Sequence, residues 1–403
     1  MTAQWPPIGS ETLPWVSDPD LLPYISKTQR RKIGSTYEAA VPLYISDRTV
    51  VVPAELGARI SELLVKLSRF DTEQKARGYA LPAMLLRSES SASSQIESLT
   101  SSARNVALAE LSSDAPHNAR LIVGNIEAMR KALALSAPLT VDGILGIHAA
   151  LINRAEGSFG GELRDEQVWV GGSSYSPHGA AYVPPRSSRV RGYLDDLVEF
   201  AGRGDVDPIV KAAIVHAQLE TIHPFIDGNG RTGRVLLHKI LRGEGVLSQT
   251  TLPVSAGLLH DVDAYMAAIT EYQQGNPVSV VERLVEALEL AVVVGNLTAM
   301  RVDAVVEEWG LRFTERKGSS IHRLPAVLVE QPVVSVEYLA KRLGITPRAA
   351  LSLVRRAVEY GVLRPMGNRR RGEFFQSDEI IDVLEEISST EGVRRIVSGR
   401  ASA

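Results

Sequence analysis

From Pro53 to Val305 apolar residues return at intervals of three and four, segment after segment, and that spacing restricts most of this chain to amphipathic helix. In the run ELGARISELLVKLSRF, Leu56, Ile60, Leu63, Leu64 and Leu67 share one face. A second helix is predicted after Pro82, through LLRSESSASSQIESLTSSARNVALAEL; serine is a poor filler for an exposed helix, so contacts must matter there. Further helices are predicted at 142–153, 188–201, 207–219, 231–243, 261–273 and 278–305. The pattern changes once, between Gly157 and Pro185, where RDEQVWVGG and AAYVPP flank a Gly-, Ser- and Pro-containing turn and predict a two-stranded hairpin. The first 45 or so residues, with Pro6, Pro7, Pro14, Pro19, Pro23 and Pro42, are expected to form an extended arm.

Composition narrows the chemistry. Across 403 residues there is no cysteine, which excludes disulfides, thiolate metal sites and cysteine nucleophiles. A net charge of −3 argues against a chain that coats nucleic acid or membranes as a whole. The longest apolar stretch, near Ala291 to Gly295 with Glu289 beside it, is far short of a bilayer span. No secretory pattern is seen at the N-terminus, and a cytoplasmic location is expected.

The segment that carries chemistry is His223-Pro-Phe-Ile-Asp-Gly-Asn-Gly-Arg-Thr-Gly-Arg234. Gly228 and Gly230 bracket Asn229, so the backbone can turn successive N–H groups toward one point. Arg231 then opens a helix, whose N-terminus attracts anions, and Arg234 follows one turn later. Asp227 offers hard oxygen beside this cradle, suited to Mg²⁺ bridging phosphates. His223 can take a proton from a hydroxyl near neutral pH. Taken singly, a histidine before proline or a glycine turn before a helix is most often structural; together and in this order they form a set for attack on phosphorus. The Lys-Ser/Thr ending of a P-loop is missing.

Residues 223–234 match HPFx[D/E]GNGRxxR, the signature of the Fic (filamentation induced by cAMP) family, at every position, and His216 to Ile222 resembles its usual lead-in. The resemblance implies a mainly α fold: a Fic-type helical bundle with a β-hairpin flap at about 160–185, which clamps a target as an added strand. It implies a protein adenylyltransferase that moves AMP from ATP to a Ser, Thr or Tyr hydroxyl of a target protein. In that reading His223 is the general base, and Asp227 holds Mg²⁺. Gly228, Asn229 and Gly230 form the anion hole, Arg231 braces the phosphates, and Arg234 pairs with the γ-phosphate. Tyr265 resembles an aromatic near the base, and a core tyrosine reading stands beside it. The Ser93 to Glu97 stretch resembles the inhibitory [S/T]xxxE[G/N] segment, so Glu97 would occupy the γ-phosphate position on Arg234. Ser98 departs from the Gly or Asn of that pattern.

A break near residues 315–320 sets off a C-terminal unit, giving an N-terminal arm and inhibitory helix at 1–110, a catalytic core at 111–310 and a third unit at 320–403. The last reads as helix, turn at Gly344, and a helix opened by Thr346-Pro347, then a hairpin turning at 367–372. This looks like a winged helix. From Lys341 to Gly372 it carries nine basic residues against Glu359, a local charge of +8, with Arg348, Arg355, Arg369, Arg370 and Arg371 the expected DNA contacts. A homodimer is expected on the same grounds of autoregulation and palindromic DNA. Alternative readings are AMP removal by the same site, transfer of UMP or phosphocholine, or a DNA-binding regulator that senses nucleotide.

Overall fold

The structure is a computed structural model that describes residues 5–20, 22–75, 77, 79, 81–135, 138–152, 159–248, 250–367 and 373–400. Its elements follow in chain order as β1 (Gly9–Pro14), α1 (Lys27–Arg30), β2 (Thr36–Val41), α2 (Ala54–Lys75), α3 (Leu81–Ile96), α4 (Ala103–Ala109), α5 (His117–Ala134) and α6 (Val141–Ile152). Then come α7 (Ser187–Ala201), α8 (Pro208–Ile222), α9 (Asn229–Gly243), α10 (Val254–His260), α11 (Val262–Gln273) and α12 (Val278–Arg312). The C-terminal part adds α13 (Leu324–Glu330), β3 (Val333–Ser335), α14 (Val336–Leu343), α15 (Pro347–Glu359), β4 (Arg364–Pro365), β5 (Phe374–Gln376), α16 (Asp378–Ser388) and α17 (Thr390–Arg400). The mainly α expectation holds.

Helix α8 is the hub of the molecule. Asp207 caps it, accepting from the Ile209 N–H at 2.8 Å, and Pro208 fills the first-turn position where a missing N–H costs nothing. Nearly all its residues are buried, so α8 is covered on every side and packs against α7, α9, α11 and α12. Helix α12 runs for 35 residues, about 50 Å at 1.5 Å per residue, from this hub to the C-terminal unit, where the fully buried Trp309 closes its last turns.

The N-terminal arm is an antiparallel pair, Gly9 opposite Val41 and Pro14 opposite Thr36. Three segments depart from expectation. The helix predicted from Pro82 onward is two helices, because the chain turns at Ser98, which has a φ of 62°. The Leu99 N–H bonds to the Ser94 carbonyl at 2.9 Å and the Ser98 N–H to that of Gln95 at 2.9 Å, which is a Schellman ending with Ser98 in its left-handed position. Helices α5 and α10 were not expected; α5 is buried from Leu121 through Ile126 and shows no clean stripe. The predicted hairpin is reduced to the bridges Val170–Tyr182 and Ser173–Ser176, because Gly171, Gly172 and Gly179 take positive φ angles and bend the segment out of strand geometry.

The serine-rich helix α3 is explained by its neighbours. Small side chains let it lie close to others, and its hydroxyls and charges are spent on them. Ser88 Oγ donates to the Ile387 carbonyl at 3.0 Å, and Glu89 accepts from the Ser255 N–H at 2.7 Å. Gln95 Nε2 donates to Thr390 Oγ1 at 3.1 Å, and Ala92 packs against Ala256, Leu259 and Val393. Helices α16 and α17 therefore hold one side of α3 while the core holds the other.

In the C-terminal unit, β3, β5 and β4 form an antiparallel sheet in that order. Ser335 caps α14, Gly344 ends it at φ 66°, and Thr346 with Pro347 opens α15, as expected. Arg369, Arg370 and Arg371 lie outside the described residues. Three of the other basic residues are matched by acids outside the counted segment: Arg342 by Glu330, Arg356 by Glu315 at 2.6 Å, and Arg364 by Asp378 at 2.6 Å.

Ser98 is exposed and holds a conformation that costs an L-residue about 1–2 kcal/mol. Replacing it with glycine should raise the unfolding free energy by roughly 0.5–1 kcal/mol, after allowing for the freedom glycine regains when unfolded. Denaturant titration checks this; an unchanged or lowered midpoint would contradict the strain assigned to that turn.

Candidate active site

The site is built where α8 stops and α9 starts. His223 ends α8 with φ 50° and ψ 61°, a left-handed residue that turns the chain out of the helix. Arg164, itself 3% exposed, fixes this turn: its Nε donates to the His223 carbonyl at 2.8 Å and its Nη1 to that of Glu166 at 3.0 Å, while Nη2 reaches the Pro185 carbonyl. Burial lowers the Arg164 guanidinium to about 10, with the neighbouring Tyr182 and Tyr37 opposing the fall.

Past His223 the loop is closed by Asn229. Its Oδ1 accepts from the Phe225 N–H and its Nδ2 donates to the Phe225 carbonyl, both at 2.9 Å. The side chain is thus a brace for the loop, which leaves the backbone of 228–230 to face the cavity. Gly228 stands at φ 79° before α9, and a Cβ there would press on Leu151 Cδ2 at 3.0 Å. Below the loop, His148 stacks on Phe225 with ring centroids 3.7 Å apart. Its Nδ1 accepts from the Gly161 N–H at 3.0 Å, so Nε2 carries the proton and donates to the Asp227 carbonyl at 3.0 Å. Burial pushes its protonation down to about 4, so this bridge is made by the neutral ring.

A cavity of about 410 Å³ opens above these elements, lined by Glu97, Tyr182, Glu220, His223, Gly228, Gly230, Arg234 and Tyr265 among others. Asp227 sits at its mouth, with Oδ2 accepting from Arg231 Nη2 at 2.9 Å and its side chain 56% exposed. The rest of the Arg231 guanidinium is buried, and its Nε and Nη1 have no protein partner, which leaves two donors for an anion. Burial lowers His223 to about 4, although a main-chain hydrogen bond with Glu220 and the nearby Glu97 and Asp227 act in the opposite direction. Its imidazole is therefore neutral near pH 7 and can accept a proton.

Arg234 is 1% exposed and fully engaged on one side. Its Nε donates to Ser93 Oγ at 2.9 Å and its Nη2 to the Ser93 carbonyl and to Glu97 Oε1, each at 2.8 Å. Burial works against its charge, but Glu97, Tyr265 and Glu220 together raise its pKa. The Glu97 carboxylate lies in the notch over Gly230, where a Cβ would collide with Oε1. Tyr265 lies at the inner wall, 3% exposed, with its hydroxyl 2.8 Å from His216 Nε2 and its ring stacked on that imidazole. Tyr182 donates to the Thr221 carbonyl at 2.6 Å and pins the flap segment across α8.

The structure thus gathers Ser93, Glu97, His223, Asp227, Gly228, Asn229, Gly230, Arg231, Arg234 and Tyr265 about one cavity, whereas Arg348 and Arg355 lie far along the chain on the C-terminal unit. Arg164, His148 and Glu220 were not singled out in the sequence. An arginine in a turn and a histidine on a helix carry no local mark of such bonding. Among the described residues, no group of three or more His, Cys, Asp or Glu could hold a metal. Asp227 offers an exposed carboxylate at the mouth, so it suits a Mg²⁺ whose other ligands are phosphate oxygens and water.

The sequence profile of the Fic/DOC family matches residues 138–241. Protein adenylyltransferase fic-1 of Caenorhabditis briggsae and of Caenorhabditis elegans are each 36% identical to this chain over 107 residues, 27% of this chain and 20% of theirs. The match therefore spans about a fifth of the length of these curated relatives. A Fic family protein from Desulfovibrio desulfuricans G20 has a similar fold, with a TM-score of 0.52 at 21% identity over 82% of this chain and 97% of that one. The loop between α8 and α9, and the helices that carry it, lie almost wholly within the stretch that matches the Fic/DOC family.

Proposed function

We propose that this chain is a protein adenylyltransferase held inactive by its own Glu97. The observation that carries the reading is the shared cavity: a neutral imidazole, Arg234 and a helix N-terminus line one space, with the partly unpartnered guanidinium of Arg231 bonded to Asp227 at its mouth. The hydroxyl oxygen of a target Ser, Thr or Tyr attacks the α-phosphorus of ATP, the bond to the β-phosphate oxygen breaks, and pyrophosphate leaves. His223 takes the hydroxyl proton; its orientation is set by the Arg164 staple and the Glu220 main chain. The N–H groups at the start of α9 and the Arg231 guanidinium bind the developing charge on the phosphates. A Mg²⁺ at Asp227 supplies further neutralisation of that charge. The names of the curated relatives agree with this reaction.

The brake follows from the geometry of Arg234. A guanidinium edge that pairs with Glu97 cannot pair at the same time with a γ-phosphate. With Glu97 in the notch over Gly230, a triphosphate cannot settle in the pose needed for in-line attack.

The C-terminal unit supports a second activity, binding of double-stranded DNA through a winged helix. Helix α15 presents Arg348 and Arg355 on an exposed face, and Lys341 of α14 is exposed as well. None of these three makes an ion pair among the described residues, in contrast to Arg342, Arg356 and Arg364. Phosphate contacts by unpaired cations carry most of such affinity.

Three measurements test these readings. With Mg²⁺ and α-labelled ATP, the wild type should label protein weakly and Glu97→Gly strongly, and adding His223→Ala should cost at least about 100-fold while ATP still binds. Retained labelling without His223 would remove its role as base. Because burial lowers His223 to about 4, kcat/KM of Glu97→Gly should show no loss between pH 7 and 6 and fall only toward pH 4; a fall centred near 6.5 would show an unshifted imidazole. For DNA, Arg348→Ala with Arg355→Ala should weaken binding of duplex and reduce the salt slope by about 1 per residue. An unchanged slope would sink the winged-helix assignment.

A further inference from the structure

Glu220 lies on α8 three residues before His223, and its side chain has no task in the reaction described above. Its carboxylate faces the inner end of the cavity with Glu97, Arg234 and Tyr265. Glu220 Oε1 is buried with no hydrogen-bond partner, and the same holds for Arg234 Nη1 and for His216 Nδ1. Glu220 and His216 meet over Gly233, where a Cβ would lie 3.5 Å from Oε1 and 2.8 Å from Nδ1. Arg234 thus stands between two carboxylates, bonded to Glu97 and merely faced by Glu220.

We infer that Glu220 sets the phosphate selectivity of the site, its carboxylate opposing the terminal phosphate of a nucleoside triphosphate and leaving a nucleoside diphosphate untouched. This rests on the reading of Arg234 as the partner of the γ-phosphate. In the braked form Glu97 already balances Arg234, so a second negative charge beside it has nothing to pair with. When Glu97 withdraws, Glu220 becomes the remaining acid next to Arg234. A γ-phosphate entering there meets a like charge in a poorly solvated pocket, and the complex forms best when Glu220 holds a proton. A diphosphate ends short of Arg234, among the α9 N–H groups and Arg231, and meets no such opposition.

Burial, with help from Glu97, raises the Glu220 carboxyl to about 7, and Arg234 opposes the rise. Its neighbours do not titrate in that range. Burial drives His216 to about 3 and His223 to about 4, and raises Tyr265 and Tyr182 above the usual phenol range. Arg234 is held protonated, Arg164 stays charged with a pKa near 10, and Arg283 of α12 lies beyond His216. Asp227 and Arg231 are paired with each other at the mouth. Protonation of Glu220 as pH falls through 7 should therefore favour the triphosphate selectively.

The test uses the full chain with Glu97→Gly, with and without Glu220→Gln, and reads calorimetric Kd values for Mg²⁺-bound non-hydrolysable ATP analogue and for Mg²⁺-bound ADP. At pH 8, Glu220→Gln should tighten the triphosphate about tenfold and leave ADP within about twofold. At pH 6 the triphosphate gain should be smaller than at pH 8, because burial raises Glu220 and more of it is protonated without substitution, even though loss of Glu97 removes one of the charges that raise it. Unchanged ADP binding also reports that the variant is folded. Equal shifts for both nucleotides, no shift for either, or a gain undiminished at pH 6 would each overturn the inference while leaving the nucleotide site in place. Failure of both proteins to bind either nucleotide would overturn the reading of the site itself, and the inference with it.

Discussion

Arg234 is a full positive charge kept almost wholly out of water, and much of the molecule is arranged to make that tolerable. An isolated buried guanidinium would cost several kcal/mol, so most of its donors must be paired or bonded. Ser93 supplies a hydroxyl and a carbonyl, Glu97 a carboxylate, and Glu220 a nearby acid. These come from α3 and α8, two helices separated by more than a hundred residues. The need to satisfy one side chain therefore fixes how the N-terminal helix sits on the core. It also accounts for a serine at position 93, whose hydroxyl accepts from Nε while the main-chain carbonyl accepts from Nη2.

The rest of the site depends on that same economy of contacts. Asn229 spends its whole amide on Phe225, and His148 spends both ring nitrogens, one on Gly161 and one on Asp227. Each of these side chains orders backbone, and the ordered backbone in turn aims N–H groups and the Asp227 carboxylate at one space. Nη1 of Arg234, a residue that lines the cavity, is left without a partner, and so are Nε and Nη1 of Arg231 behind Asp227. Unsatisfied donors in an otherwise well-bonded region are where an anion gains most by arriving.

Local features of the sequence were legible because local physics sets them. Gly228 and the Thr346-Pro347 start of α15 each act within a few residues, and each is found as expected. Tertiary partners were not. The pairing of Glu97 with Arg234 spans 137 positions and came only through family resemblance. A segment count of +8 could not foresee Glu315, Glu330 and Asp378 arriving from outside the window to cancel part of it. Helix α5 has no amphipathic stripe because neighbours cover it on most sides, and the glycines of the flap segment weakened strand geometry that alternation alone had suggested. The break at Ser98 was missed because serine gives no sign that it will take a left-handed turn.

Helix α3 has no open side. The core with Arg234 lies against one face and α16 and α17 against the other, with Ser88, Gln95 and Ala92 all engaged there. Swinging the helix as a rod would tear both seams at once. Glu97, however, sits just past the last helical residue, on a turn whose next residue is already strained. The cheapest route off Arg234 is a rotation about a few bonds between Ile96 and Leu99. For the proposed brake, the travel from Arg234 to release is thus the length of a single side chain, and it requires no helix to move.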